Sequence, residues 1–396
     1  MHQITLFIEK YFTIQKILIL SLSVRILILY FYPDQEFPDA QGYFNSGKEF
    51  FETGLYPSDF HMPLYPLWTY VLGGGMGLKL SDIFLSVLSI YFIYILSLRL
   101  FKDQTVGLIA ACIAAVYPHF LFYAVSRLTE TSFIAFTLGA FCLLYDRRYF
   151  WASVTLVLSL FIRPTFDLLN PVLIFVFAYF IHQLQLLSAL KKVALYACVY
   201  GALMTPWWVH NYVKHNEFIR LNLGDGHIFY SGNNPLNTSG GGVSQAGEHS
   251  DLDISHYDHI KNPFEKNKAL KKDALQFIKE NPGRFIKLMG LKFLRFWRLW
   301  PYTPDYQQPW IIAISILSYG PLLLLSILFS ILYLRPYFRV VFPFYLFSFY
   351  LMMVHLVTIS SVRYRLPIEP LMVILSSFMI KKIMDLLSVK KVSPKK

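Results

Sequence analysis

Charged side chains are scarce in this sequence: 15% of its 396 residues carry one, where a soluble domain carries about 25%. Hydrophobic residues reach 55%, aromatic ones 18%, and the mean hydropathy is +0.45. Such a balance excludes a disordered or collagenous chain and argues against an ordinary cytosolic enzyme. Cysteine is scarce too. Cys112, Cys142 and Cys198 lie far apart inside apolar runs, which excludes a disulfide framework and leaves three small buried hydrophobes. Walker A, the dinucleotide fingerprint, GxSxG and HExxH are all missing, so the sequence carries no signal for those chemistries. The eleven histidines show no zinc spacing,. A net charge of +12 would suggest nucleic acid in a soluble chain. Here lysine and arginine flanking membrane spans account for it, and no nucleic-acid partner is expected.

What the chain has instead is long apolar runs. Stretches 104–126, 168–190, 193–213, 309–334 and 340–362 contain no Asp, Glu, Lys or Arg, and about 20 such residues cross a bilayer. Shorter uncharged runs at 83–98, 131–145, 149–162 and 370–380 reach that length with their flanking turns, and an N-terminal one at about 12–32 contains Lys16 and Arg25. The expected fold is an all-α polytopic membrane protein with about ten transmembrane helices. With the N-terminus cytoplasmic, the inner loops hold Arg99, Lys102, Arg147, Arg148, Lys191, Lys192, Arg335 and Arg339, and the tail adds six lysines. The short outer loops hold Arg127, Arg163, Arg363 and Arg365. This positive-inside bias puts both termini in the cytoplasm of a cell (inner or plasma) membrane protein. No small-residue cleavage site follows the first apolar run, so no cleavable signal peptide is expected. There is no internal repeat of the kind that marks secondary transporters.

Three regions follow: an N-terminal transmembrane module (1–213) whose first outer loop spans 33–79, an outer-face region (214–308), and C-terminal helices with a basic tail (309–396). Interfacial helices are expected after the first span, and a small mixed or helical outer region after the seventh. In that outer region, glycine and asparagine at Gly224–Gly226, Gly232–Pro235 and Gly240–Gly242 mark turns,. A polar helix is expected from Asn262-Pro263, broken at Asn281-Pro282-Gly283. After it Arg284, Lys287, Lys292, Arg295 and Arg298 alternate with Phe285, Leu288, Leu291, Phe293, Phe296 and Trp297. That pattern predicts a basic amphipathic helix at the membrane interface, with a solvated charged face as the alternative.

The candidate chemistry clusters at the outer ends of the spans. Asp34, Glu36 and Asp39 fall within six positions after the first span. A carboxylate at a partly dehydrated interface can serve as a general base, although a hydrated acidic loop fits the same residues. Asp39 is favoured because Tyr43, Phe44, Phe50 and Phe51 follow it. His61, in Phe60-His61-Met62-Pro63-Leu64-Tyr65-Pro66, suits a base, a metal ligand, a phosphate contact or a satisfied interfacial histidine. Glu130, with Arg127 one turn before it, and Arg163 and Asp167 read either as functional intramembrane ions or as stabilising ion pairs. Arg363 and Arg365 break the positive-inside rule, and a guanidinium fork suits an anionic lipid phosphate. Arg25 reads as an ion-paired or snorkelling group within a span. His249, His256, His259, Asp251, Asp253 and Asp258 are metal-compatible in type but read as a solvated loop, so no metal site is assigned.

Taken in order, these pieces resemble the GT-C class of polytopic glycosyltransferases. The similarity is to the bacterial family 39 branch, which holds the lipid A aminoarabinose transferase and protein O-mannosyltransferase-like enzymes. It covers essentially the whole chain and rests on Asp39-Ala-Gln-Gly-Tyr43, Pro63-Leu-Tyr-Pro66, Thr129-Glu130-Thr131 and Ile162-Arg-Pro164. It continues through Pro206-Trp207…Asn211-Tyr212, Gly232-Asn-Asn-Pro235 and Asn281-Pro282-Gly283-Arg284-Phe285, and closes with Arg363-Tyr-Arg-Leu-Pro367. The resemblance implies a polyprenyl-phosphate sugar donor and a glycan, lipid or protein acceptor, joined at the outer face of the bilayer. The position matching Asp39 is the base or acceptor-positioning carboxylate, and those matching Arg363 and Arg365 hold the donor phosphate. Tyr43, His61, Tyr65, Glu130 and Arg163 complete the expected donor and acceptor contacts. No cofactor is implied, and a divalent metal stays open. Two positions depart from the pattern: His61 stands where the aminoarabinose transferase has a glutamate, and His210 where arginine is common. A polyprenyl-pyrophosphate polysaccharide ligase or polymerase and a lipid or sugar-lipid transporter are the competing readings.

Overall fold

The computed structural model describes residues 12–31, 37–241 and 254–390, and every regular element among them is helical. Asp34, Glu36, Gly242, His249, Asp251, Asp253 and the last lysines of the tail lie outside the described residues. In chain order the helices are α1 (Ile14–Phe31), α2 (Pro38–Thr53), α3 (Leu64–Val71), α4 (Met76–Phe101), α5 (Gln104–Val116) and α6 (Pro118–Tyr123). Then come α7 (Thr129–Tyr145), α8 (Tyr149–Ile162), α9 (Leu169–Phe175), α10 (Leu186–His215), α11 (Asp225–Gly232) and α12 (Pro263–Glu280). The last are α13 (Pro282–Trp297), α14 (Pro309–Leu332), α15 (Leu334–Val357), α16 (Val362–Arg365) and α17 (Glu369–Lys390).

Ten spans were expected. Among the described residues five helices, α1, α4, α10, α14 and α15, are each long and apolar enough to cross a bilayer. Four more apolar helices are shorter, for local reasons. Asp103 caps α5, its carboxylate accepting from the Thr105 and Val106 amides at 2.9 and 3.2 Å. Pro118 then ends it, since the residue before proline is pushed out of the helical region: Tyr117 sits at φ −68°, ψ 118°,. The uncharged run 104–126 therefore becomes α5 and the six-residue α6. The run 168–190 is likewise divided, α9 passing into a π-turn at Val176–Ile181 before α10 begins,.

The core is continuous. α4 packs on α5 and α7, α7 on α8, and α8 on α10; α1 lies across α4 and α5, and α17 lies between α5 and α14. Serines inside these helices hydrogen-bond back to carbonyls one turn earlier, as Ser89 does to Leu85 and Ser153 to Tyr149, both at 2.8 Å. Such bonds satisfy a hydroxyl where no water reaches. Among the described residues Arg25 meets no carboxylate, and it does not snorkel. It is fully buried, and its guanidinium donates to the Ser21 hydroxyl, the Ser86 hydroxyl and the Ala115 carbonyl.

The expected breaks at Asn262-Pro263 and Asn281-Pro282 are seen as the starts of α12 and α13. The expected basic face of α13 holds at Arg284 and Lys287, which are exposed, and is corrected further along the helix. Lys292 and Arg295 point inward, while Ile286 and Leu294 are exposed. The Lys292 amine donates to Asn233 Oδ1 at 3.1 Å and approaches the Val357 carbonyl at 3.5 Å; Arg295 donates to the Ser360 carbonyl at 3.2 Å. Carbonyls at and just past the end of α15, those of Val357 and Ser360, thus meet side chains that periodicity alone assigns to the outside,. The same junction needs Gly232, where a Cβ would sit 1.9 Å from the Thr358 carbonyl oxygen.

Candidate active site

Four chain segments bring Asp39, Glu130, Arg163 and Arg363 together, and each arrives for a local reason. Pro38 at the first position of α2 fixes the entry φ, so Asp39 lies in the first turn, where a helix N-terminus favours negative charge,. Gly47 lets α2 touch α3, since a Cβ there would lie 2.3 Å from the Pro66 carbonyl oxygen. Glu130 occupies the first turn of α7 in the same favourable field,. Pro164 ends α8 by forcing Arg163 into extended backbone (φ −142°, ψ 121°), which turns its side chain toward α7,. Ser361 caps α16, accepting from the Arg363 amide.

Glu130 is the hub. It is wholly buried, and its Oε1 accepts from both Arg163 Nη2 and Arg363 Nε. Arg163 Nε also donates to the Thr129 hydroxyl at 2.6 Å. Arg363 then reaches past Glu130, its Nη1 donating to Asp39 Oδ2 at 2.9 Å. Nothing among the described residues accepts from Arg363 Nη2. The Asp39 side chain keeps 42% of its surface open and that of Arg363 27%. The result is one exposed carboxylate beside a guanidinium whose charge a buried carboxylate holds in place. This is the arrangement needed to receive a proton and an oxyanion within one site.

Aromatic rings wall this pair. Tyr43, one turn beyond Asp39, meets His61 edge-on at 4.8 Å between centroids and Tyr65 at 5.2 Å. Burial, then the charge of Asp39, pushes the Tyr43 hydroxyl up to about 12. Burial holds His61 below the usual histidine range, with the Asp39 charge opposing it. The imidazole is thus neutral at physiological pH, and Nδ1 lies 3.4 Å from the Ser58 hydroxyl.

Two expectations fare differently. The arginine pair is divided: residues two apart on a helix point about 200° apart. Arg363 turns to Glu130 and Asp39, whereas Arg365 is fully buried. It donates to Glu369 at 2.9 Å and to the Phe296 carbonyl at 2.9 Å, and it lies over the Tyr319 ring. Glu130 meets Arg163 and Arg363, while Arg127 has a positive φ of 55° and reaches the Gly74 carbonyl at 3.4 Å. Asp167 pairs with Arg220. Among the described residues no three His, Cys, Asp or Glu side chains converge as a metal site would require.

Sequence reasoning passed over two buried acids. Asp82 is fully buried in α4 under Tyr65, and Glu369 binds His119 Nδ1 at 2.9 Å as well as Arg365. Their signal was present: each is a carboxylate on the edge of an apolar run, where an ion is costly unless it is used.

No family model matches the chain, and no curated protein matches it. Its fold does match solved structures of an oligosaccharyltransferase from Archaeoglobus fulgidus. The apo form aligns with a TM-score of 0.54 at 13% identity, over 96% of this chain and 52% of that one. The same organism's AglB, in complex with an inhibitory peptide and a dolichol-phosphate, aligns with a TM-score of 0.55 at 13% identity, over 98% and 53%. The chain therefore spans about half the length of those proteins. At this identity the likeness is one of fold.

Proposed function

We propose that this chain is a membrane glycosyltransferase of the bacterial family 39 branch, moving a sugar from a polyprenyl-phosphate donor to an acceptor at the outer face of a cell membrane. The observation that carries the reading is the Asp39–Arg363–Glu130 chain, an exposed acid and a braced guanidinium joined in a largely apolar fold. The archaeal structure that binds a dolichol-phosphate and a peptide supports a lipid-phosphate donor and allows a protein acceptor; a glycan or lipid acceptor fits the same chemistry.

In the proposed step the acceptor hydroxyl or amine lies against Asp39 and gives it a proton. The acceptor atom forms a bond to the anomeric carbon as the bond from that carbon to the phosphate oxygen breaks. The electron pair leaves with the lipid phosphate, whose charge Arg363 meets, with Arg163 behind Glu130 adding positive field. The leaving group is already a phosphate, so no nucleotide is consumed, and a single displacement inverts the anomeric configuration. Tyr43 and His61 flank the acceptor, and Tyr65 supports them from beneath. Arg365 acts by anchoring α16 rather than by touching phosphate. Both termini lie in the cytoplasm, with the shorter apolar helices and α17 completing the ten spans. The test is transfer by protein purified in lipid, offered a panel of labelled polyprenyl-phosphate sugars with crude membrane acceptor. Wild type should transfer label from one donor, and Asp39→Asn should transfer none; equal behaviour of the two would defeat the proposal.

A further inference from the structure

Asp82 has no part in the step above, yet it is fully buried near the N-terminal end of α4. Its two oxygens are both used. Oδ2 accepts from the Tyr65 hydroxyl at 2.9 Å, and Oδ1 accepts from the Ser132 hydroxyl of α7 at 3.3 Å. A carboxylate away from water is costly even when hydrogen-bonded, and a leucine would fill the same space at no such cost. What the carboxylate adds is direction, because it anchors the Tyr65 hydroxyl at the far end of the ring and hence fixes the tilt of the ring axis.

That tilt matters because the Tyr65 ring stands at 86° to Tyr43, and Tyr43 in turn is in edge contact with His61. The route from Asp82 to the Asp39 site is thus one hydrogen bond and two ring contacts. Gly47 against Pro66 fixes the backbones of α2 and α3, and the bond to Asp82 fixes the far end of the buried Tyr65 ring. We propose that Asp82 is a positioning residue for the transfer reaction. Through the Tyr65 hydroxyl it sets the orientation of the Tyr43–His61 wall beside Asp39. The inference rests on the glycosyltransferase reading for its effect on rate, but its structural part stands without it.

Two measurements test it on the full chain in lipid nanodiscs. In the transfer assay, Tyr65→Phe and Asp82→Leu should each lower kcat about tenfold, short of the roughly 100-fold that about 1 Å of misplacement costs. The donor KM should be nearly unchanged. Asp82→Asn, whose amide oxygen still accepts from Tyr65, should recover most of the rate. The Tyr65→Phe/Asp82→Leu double variant should be no slower than either single one, as expected of residues acting in series.

The second measurement needs no turnover. The rate at which diethyl pyrocarbonate modifies His61 is read by mass spectrometry, with exposed His259 as the internal reference. It should rise several-fold in Tyr65→Phe and Asp82→Leu and stay at the wild-type value in Asp82→Asn. An unchanged His61 rate in Tyr65→Phe overturns the proposal, as does a kcat unaffected by either variant. Absence of transfer by wild type would instead sink the glycosyltransferase reading, leaving the His61 rate to decide for or against Asp82.

Discussion

Replacing Glu130 by Gln removes one negative charge from beneath two arginines and changes almost nothing in volume. Breaking a buried ion pair by neutralising one partner costs about 3–5 kcal/mol, mostly because the other charge is left uncompensated. Here the carboxylate is wholly buried, but the Arg163 and Arg363 side chains keep 18% and 27% of their surface open, so water recovers part of that cost. A loss of about 2–4 kcal/mol follows. The loss should be larger for transfer than for folding, because Arg363 touches Asp39 only after passing Glu130. Without its hub the Arg363 side chain is free to collapse onto Asp39 alone. Measured in nanodiscs, Glu130→Gln should lower the midpoint of thermal unfolding and reduce sugar transfer by about 100-fold or more. A variant with the wild-type midpoint and wild-type transfer would refute the view that Glu130 organises the site.

Other outcomes follow from the same geometry. Arg363→Lys keeps the charge but cannot span Glu130 and Asp39 as the planar fork does; transfer should fall by at least tenfold while the unfolding midpoint shifts little, read by the paired assays. Gly232→Ala places a methyl group 1.9 Å from the Thr358 carbonyl, so the variant should unfold at a clearly lower temperature or fail to accumulate. Lys292 is held at about 7 by burial, against 10.5 when solvated. Between those values the unfolded chain binds more protons than the folded one, so stability should climb as pH rises from about 7 to about 10. Lys292→Met should flatten that slope and be the more stable protein at pH 7, as thermal unfolding across that range would reveal. Asp103→Ala should cost about 1 kcal/mol through the lost cap of α5,.

Much of the fold was legible because apolar length and helix punctuation are written locally. Asn262-Pro263 and Asn281-Pro282 begin helices where the spacing puts them. Asp39, Glu130, Arg163 and Arg363 could each be singled out as ions at the ends of apolar runs. Their meeting could not be read, since residues 39 and 363 lie at opposite ends of the chain. Periodicity misled in part at α13, where Ile286, Phe293 and Leu294 face out and Lys292 and Arg295 face in; beside a membrane, apolar residues have two places to go. The division of Arg363 from Arg365 was derivable from the angle between alternate helical residues, but only once α16 was known to be helical. Asp82 escaped notice because its partners, Tyr65 and Ser132, come from other helices.

The central claim is that Asp39 and Arg363 form a reacting centre for a lipid-phosphate sugar. It is tested most directly by following both products of one turnover, the glycosylated acceptor and the released polyprenyl phosphate, with wild type and Asp39→Asn in the same lipid. Equal amounts of the two from wild type, with inverted anomeric configuration and neither product from Asp39→Asn, are predicted. Retained configuration would contradict the single displacement, and full turnover by Asp39→Asn would contradict the assignment of the base.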